Sequence, residues 1–230
     1  MEWVLRDCVG SNDRSRKSEI RKIVVAVSAP AELSIEDRTL AEPFMTSPSY
    51  LSKDGRWRRE ILDRKLEGVR ESMSAKLADE LHIKLKEAGF ETTCTTRVMG
   101  STTLDFSALP TGYVALEVSF IDVGLSSSIW SNGYEPRVNA RACLFDPSDP
   151  SDWLTSDHFF YGADSSGDGP CSIPIPNYPN RRYQDLDALL HRAEEMSDVF
   201  ESAIQALAER ISRRLISRHG TEAPLSPNDR

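Results

Sequence analysis

A chain of 230 residues, 39% hydrophobic and 28% charged, is long enough to bury a core and too apolar for a disordered polymer. Its net charge of -8 excludes a general nucleic-acid binder, which needs a basic surface to neutralise phosphates. No apolar run nears the length that a bilayer-spanning helix requires.

Residues 1–20 mix Ser, Asn, Asp, Arg and Lys without periodicity and predict a flexible N-terminal arm. As written, the arm holds no signal peptide, because its apolar start is brief and runs into Arg6-Asp7. Cys8 followed by a polar stretch and then a strand is nonetheless how a mature bacterial lipoprotein begins, which makes Cys8 the candidate lipid-attachment residue and membrane tether. Asp7 stands where a lipobox carries a small residue. Two compartments follow: the cell envelope or periplasm if the natural start lies upstream, and the cytoplasm otherwise.

KIVVAVSAP predicts a short strand buried on both faces and ended by Pro30. Residues 31–57, with Pro43, Pro48 and a Lys53-Asp54-Gly55 turn, read as a long connection. From Arg58 to Ala88, Leu62, Leu66, Val69, Met73, Leu77, Leu81 and Leu85 recur at steps of three and four, the stripe of an amphipathic helix that Gly89 ends. The threonine-rich run from Phe90 to Val98 reads as the next strand, parallel to the first across a crossover.

In YVALEVSFIDVGL, Val114, Leu116, Val118 and Phe120 alternate with weaker residues, giving period two. RVNARACLFDP alternates again after Asn132-Gly133, so the two runs predict an antiparallel hairpin. SDHFFYGA adds a third strand beside it. A loop over 164–183 follows, and then a continuous helix from Gln184 to Arg218. Arg210, Arg213, Arg214 and Arg218 cluster at its end, where a helix dipole favours cations.

The sum is a single α+β domain over 21–218: a two-layer sandwich, with a mixed or antiparallel sheet of about four to five strands and two long helices on one face. A disordered tail is expected over 219–230.

No nucleophile elbow, Walker loop, dinucleotide fingerprint or HExxH motif occurs. The four cysteines, Cys8, Cys94, Cys143 and Cys171, form no CxxC pair; Cys94 and Cys143 read as small buried strand residues, and Cys171 as a disulfide candidate only in an oxidising compartment. Asp164, Ser166, Asp168 and Gly169 open like a calcium loop, but the position where a bidentate glutamate should close it is Ile175. The expectation is therefore no metal and no cofactor.

An alternative reading is a metal-dependent hydrolase built from Asp157, His158, Asp164 and Asp168, although alternation sends Asp157 and His158 to opposite faces of a strand. The aromatic residues in connecting segments, Trp57, Trp130, Tyr134, Trp153, Tyr178 and Tyr183, are the candidate contacts for a protein partner; the same residues could instead cap the core.

The VVAVS strand, LADELHIKLKEAGFET, the YVALEVSFIDVGL and PRVNARACLFDP pair, and the terminal AIQALAERISRRL helix together resemble bacterial envelope lipoproteins of the ABC-transport auxiliary or envelope-assembly type. The resemblance spans about residues 22–218 and lies in element order rather than in a diagnostic motif. It implies a non-catalytic, tethered domain that binds partner proteins or lipid during transport or envelope assembly. A cytoplasmic protein-interaction domain is the alternative.

Overall fold

The structure is a computed structural model, and it describes residues 20–31, 33–37, 53–96, 112–127, 133–147, 153–162, 172–175 and 182–219. The elements in chain order are β1 (Lys22–Ser28), β2 (Ser34–Asp37), α1 (Lys53–Glu87), β3 (Glu91–Thr96), β4 (Val114–Ser127), β5 (Tyr134–Phe145), β6 (Trp153–Gly162), β7 (Ser172–Ile175), α2 (Leu186–His191) and α3 (Glu195–His219).

The fold is the expected α+β arrangement, with a larger sheet than expected. Among the described residues the sheet has seven strands: six run in the order β3-β1-β4-β5-β6-β7, and β2 pairs with β4 off this path. The two extra strands lie in the segments read from sequence as loops, 31–57 and 164–183. SIED and SIPI have four residues each, too few for alternation to register. Pro174 in β7 is tolerated because β7 is an edge strand among the described residues.

β1 sits between two parallel neighbours, β3 and β4, and this explains its unbroken apolar run. Ile23, Val25 and Val27 point into the main core, while Val24 and Ala26 are buried on the other face. The parallel pairing of β1 with β3 across a helix agrees with the sequence reading. So does the antiparallel run of β4, β5 and β6.

Alternation in β4 holds only to Phe120. The register shifts between Phe120 and Asp122, and beyond this bulge the buried positions move from Leu116 and Val118 to Val123 and Leu125. Ile121, at the bulge, is 54% exposed. At Gly124, a Cβ would lie 1.8 Å from the carbonyl oxygen of Ser34, so only glycine lets β2 approach β4 there.

α1 starts at Lys53, so the Lys53-Asp54-Gly55 turn expected from sequence is helix instead. It ends as Gly89 predicts. Gly89 has φ 89°, its N–H donates to Lys86, and Phe90 donates to Leu85, which satisfies two of the last carbonyls.

The terminal helix is not continuous. α2 is capped by Asp185, whose carboxylate accepts from the Ala188 N–H at 2.7 Å. The break before α3 has no glycine or proline to announce it. Arg192 marks it, paired with Glu195 at 2.6 Å and lying over the Tyr183 ring. Leu189, Ala193 and Met196 are all buried, which is why the apolar stripe reads straight through the break. His219, assigned from sequence to the tail, is the last residue of α3, and Ile20, assigned to the arm, is buried.

α1 packs against α2 and α3 in parallel. Lys65 donates to the Leu190 carbonyl, Lys76 pairs with Glu201 and Lys84 with Glu209, each contact joining residues 125 apart in the chain. Leu77, Leu81 and Leu85 of α1 and Phe200, Ile204 and Leu207 of α3 share one core with the strands, all on one side of the sheet.

Candidate binding surface

Cross-strand register sorts the residues of the sheet by face. Val138, Ala140, Ala142 and Leu144 of β5 oppose Tyr161, Phe159, Asp157 and Thr155 of β6, and their row is the helix side. The intervening residues, Arg137, Asn139, Arg141, Cys143 and Phe145, therefore face away from the helices, as do Ser156, His158 and Phe160.

Three features occupy this outer face. A small apolar cluster of Ala115, Cys143 and Phe145 lies toward the start of β4. Trp153, opposite Phe145, is 39% exposed and carries the Arg141 guanidinium 4.2 Å above its ring. Arg141 also donates to the Ser156 hydroxyl at 3.2 Å, so the side chain is laid along the face.

Further along the same face lies an ionic network in which Arg137 and Glu135 are buried. Arg137, 4% exposed, pairs with Asp122, whose carboxylate also accepts from Ser34 Oγ at 2.6 Å. Glu135 pairs with Arg182. These pairs tie β2, β4, β5 and the segment before α2 together. Burial of such charges is tolerated only because each has an opposite partner.

The aromatic candidates are placed very differently from one another. Trp153 lies on the outer face and is exposed. Tyr134 is half-buried and packs against the core; its backbone exchanges hydrogen bonds with Tyr183 at 2.6 and 2.9 Å. Tyr183 is 2% exposed and sits inside the core, the placement of a residue that caps it. Trp57 falls within the first turns of α1. Trp130, Tyr178 and Cys8 lie outside the described residues, as do Asp164, Ser166, Asp168 and Cys171.

Asp157 and His158 diverge, as alternation requires. Asp157, 7% exposed, is on the helix side and is held by Arg218 through two contacts at 2.8 and 3.3 Å and by Arg214 at 3.5 Å. This corrects the reading of the arginine cluster as helix-end chemistry alone: two of the four arginines clamp the end of α3 to β6. Arg213 instead pairs with Glu209 on its own helix. Among the described residues, no three His, Cys, Asp or Glu side chains converge as metal ligands.

Cys143 is buried, as expected, and burial pushes its thiol pKa up. Cys94 is not: it is exposed on β3, and its Sγ approaches the Ala78 carbonyl of α1 at 3.5 Å. At the opening of the same strand, Glu91 is held below the usual carboxylate range by the Tyr113 hydroxyl, which donates to it, and by Lys22 at 3.2 Å. The Tyr113 hydroxyl is correspondingly raised.

Arg141 belongs to no catalytic motif. Its signal was present in RVNARACLF, where Arg137, Asn139 and Arg141 occupy the polar phase of an alternating strand.

No protein-family profile matches the chain, and no curated protein matches it. Solved structures do. A neuraminyllactose-binding hemagglutinin homologue from Helicobacter pylori is similar over 88% of this chain and 86% of its own, at 12% identity and a TM-score of 0.31. A hypothetical protein from Chlamydia trachomatis is similar over 85% of this chain and 99% of its own, at 11% identity and a TM-score of 0.39. A lipoprotein from Neisseria meningitidis is similar over 84% of this chain and 99% of its own, at 14% identity and a TM-score of 0.32. Among the described residues, no helix is long and apolar enough to cross a membrane.

Proposed function

We propose that the chain is a non-catalytic binding or assembly domain of the bacterial cell envelope, tethered through Cys8 and contacting a protein partner with the outer face of its sheet. The observation that carries this reading is the Trp153–Arg141 pair, an exposed aromatic with a guanidinium stacked on it, on the face that the helices leave uncovered. Tryptophan and arginine are the residue types that most often dominate interface energetics. Arg141 is laid down by its bond to Ser156, so little of its conformational freedom remains to be lost on binding.

The charged groups around it support a scaffold rather than a reaction. Asp157, the carboxylate that the hydrolase alternative needs, is occupied by Arg214 and Arg218 on the other side of the sheet from His158. The Asp122–Arg137 and Glu135–Arg182 pairs join strands and connections.

The test is expression from the chromosomal locus, with its own upstream sequence, followed by cell fractionation and labelling with a fatty-acid analogue. The protein is expected in the envelope fraction and labelled, with both lost on Cys8→Ser, and Trp153→Ala is expected to weaken crosslinking to its partner while the fold is kept. Unlabelled protein found wholly in the cytosol would overturn the envelope reading.

A further inference from the structure

Between Arg210 and His219, α3 carries four arginines and no carboxylate. Arg210, Arg213 and Arg214 stand three and four residues apart, and all three are exposed, so they share one open face of the helix. Arg213 engages Glu209 through Nε and keeps 70% of its side chain exposed. Arg214 reaches Asp157 through Nε at 3.5 Å and keeps 45%. Contacts through Nε leave the two terminal nitrogens of each guanidinium, the fork that grips phosphate oxygens in pairs. Arg210, between them, makes no ion pair among the described residues.

This face lies at a particular end of the domain. The Glu91 N–H donates to the Arg21 carbonyl at 2.7 Å, next to the first residue of β1. Glu91 also opens β3 directly after the end of α1. Lys84, in the last turn of α1, pairs with Glu209 of α3. The start of β1, the end of α1 and the end of α3 therefore lie together. Cys8 and Ile20 are twelve residues apart, which limits the link between them to about 40 Å in any conformation. A bilayer that holds Cys8 is within reach of these arginines.

We infer that the end of α3 rests on an anionic lipid surface, with Arg210, Arg213 and Arg214 on the headgroup phosphates. The choice of a bilayer as the occupant rests on the envelope reading above. The carboxylates Glu87, Glu91 and Asp146 at the same end are matched in number by Arg21, Lys22 and Lys86. The chain as a whole carries a net charge of -8, so an anionic surface attracts this end and repels the rest. The arginines thus set an orientation. Strands and helices stand on the membrane, and the outer face of the sheet, with Trp153, is turned sideways toward a protein partner.

The full chain tests this by sedimentation with vesicles of phosphatidylcholine, with and without phosphatidylglycerol. Binding is expected only with phosphatidylglycerol, and it should weaken as salt rises. An arginine near such a surface is worth about a factor of five in partitioning, so Arg210→Gln combined with Arg213→Gln should lower binding about twenty-fivefold. Both changes leave the arginines that clamp Asp157 in place. Arg64→Gln combined with Lys65→Gln makes the same charge change about 33 Å back along α1 and should leave binding unchanged. If the first combination fails to fold, Arg210→Gln alone decides, by a fivefold loss.

Fatty-acid labelling at Cys8 is read separately. Labelled protein whose vesicle binding ignores the arginines overturns this inference and leaves the tether standing. Vesicle binding that falls with the arginines in unlabelled protein supports the surface while the tether falls. Equal losses in the two combinations, binding to phosphatidylcholine alone, or no binding at low salt each overturns the inference. So does an arginine-dependent hold on polyglutamate in place of vesicles, which would assign the face to an acidic protein.

Discussion

On the helix side of the sheet, Val25, Val118, Ala140 and Phe159 share a core with Leu77, Leu81, Phe200 and Leu207. On the opposite side the same strands present Asp122, Arg137, Arg141, Ser156 and Trp153. Burial on the first face is driven chiefly by apolar area, so apolar side chains of fitting volume would serve most of it, Asp157 with its arginine clamp being the charged exception. On the second face, charges are held between strands, and each depends on a particular partner. The contrast teaches where substitutions should be costly by size and where by identity.

The largest effect is expected on the helix side. Phe200 of α3 is fully buried there, so Phe200→Ala should cost about 3–5 kcal/mol, read as a lower urea midpoint with an unchanged slope. A loss no larger than that of an exposed alanine substitution would break the assignment of α3 to the core.

The outer face should respond to identity. Asp122→Ala leaves Arg137 buried without its carboxylate and should cost about 2–3 kcal/mol. Adding Arg137→Met should recover much of that loss, because the uncompensated charge is removed as well. Equal losses in the single and double variants would mean that the pair does not govern this face. The Arg clamp on Asp157, on the helix side, should matter less, because its arginines are partly exposed: Asp157→Asn is expected to cost about 1–2 kcal/mol and to loosen hydrogen exchange at the end of α3 first.

The same contrast explains what could be read from sequence. Apolar spacing found α1 and the stripe through α2 and α3, because periodicity is a property of the chain itself. It found the alternation of β4 as far as Phe120, and the hairpin after it. It could not find the bulge at Ile121, where the extra residue is set by pairing with β5. Nor could it find β2 or β7, whose four residues become strands only through β4 and β6. The break at Arg192 was hidden because the apolar stripe runs on through Ala193 and Met196.

The candidate surface was legible in part, for the same reason. Trp153 and Tyr183 look alike in sequence, as aromatics beside turns. One is exposed on the outer face, and the other bridges to Tyr134 inside the core. Alternation offered Arg141 as an outward residue, but its seat on Trp153 depends on the β5–β6 register, with its one-residue irregularity beside Phe145. The partners of Asp157 lie 57 and 61 positions along the chain, too far for any local pattern to pair them.

The smallest effect is electrostatic and lies between the helices. Glu209 is held below the usual carboxylate range by Lys84, which donates to it at 2.7 Å, and by Arg213. The folded chain thus binds its proton less readily than the unfolded chain does. Its stabilising contribution is fully present above the unfolded pKa and is lost as pH falls through the lowered folded value. Glu209 is 40% exposed, so solvent screening keeps the contribution under about 1 kcal/mol. Glu209→Gln should therefore lower stability slightly at neutral pH and flatten its decline in acid, with added salt doing the same to the wild type. On the outer face, Asp122 and Arg137 are more buried and should resist salt. Chemical unfolding of both sets of variants across pH and ionic strength separates the two cases. An equal salt response from Glu209 and Asp122 would show that burial does not divide the faces electrostatically as it divides them in packing.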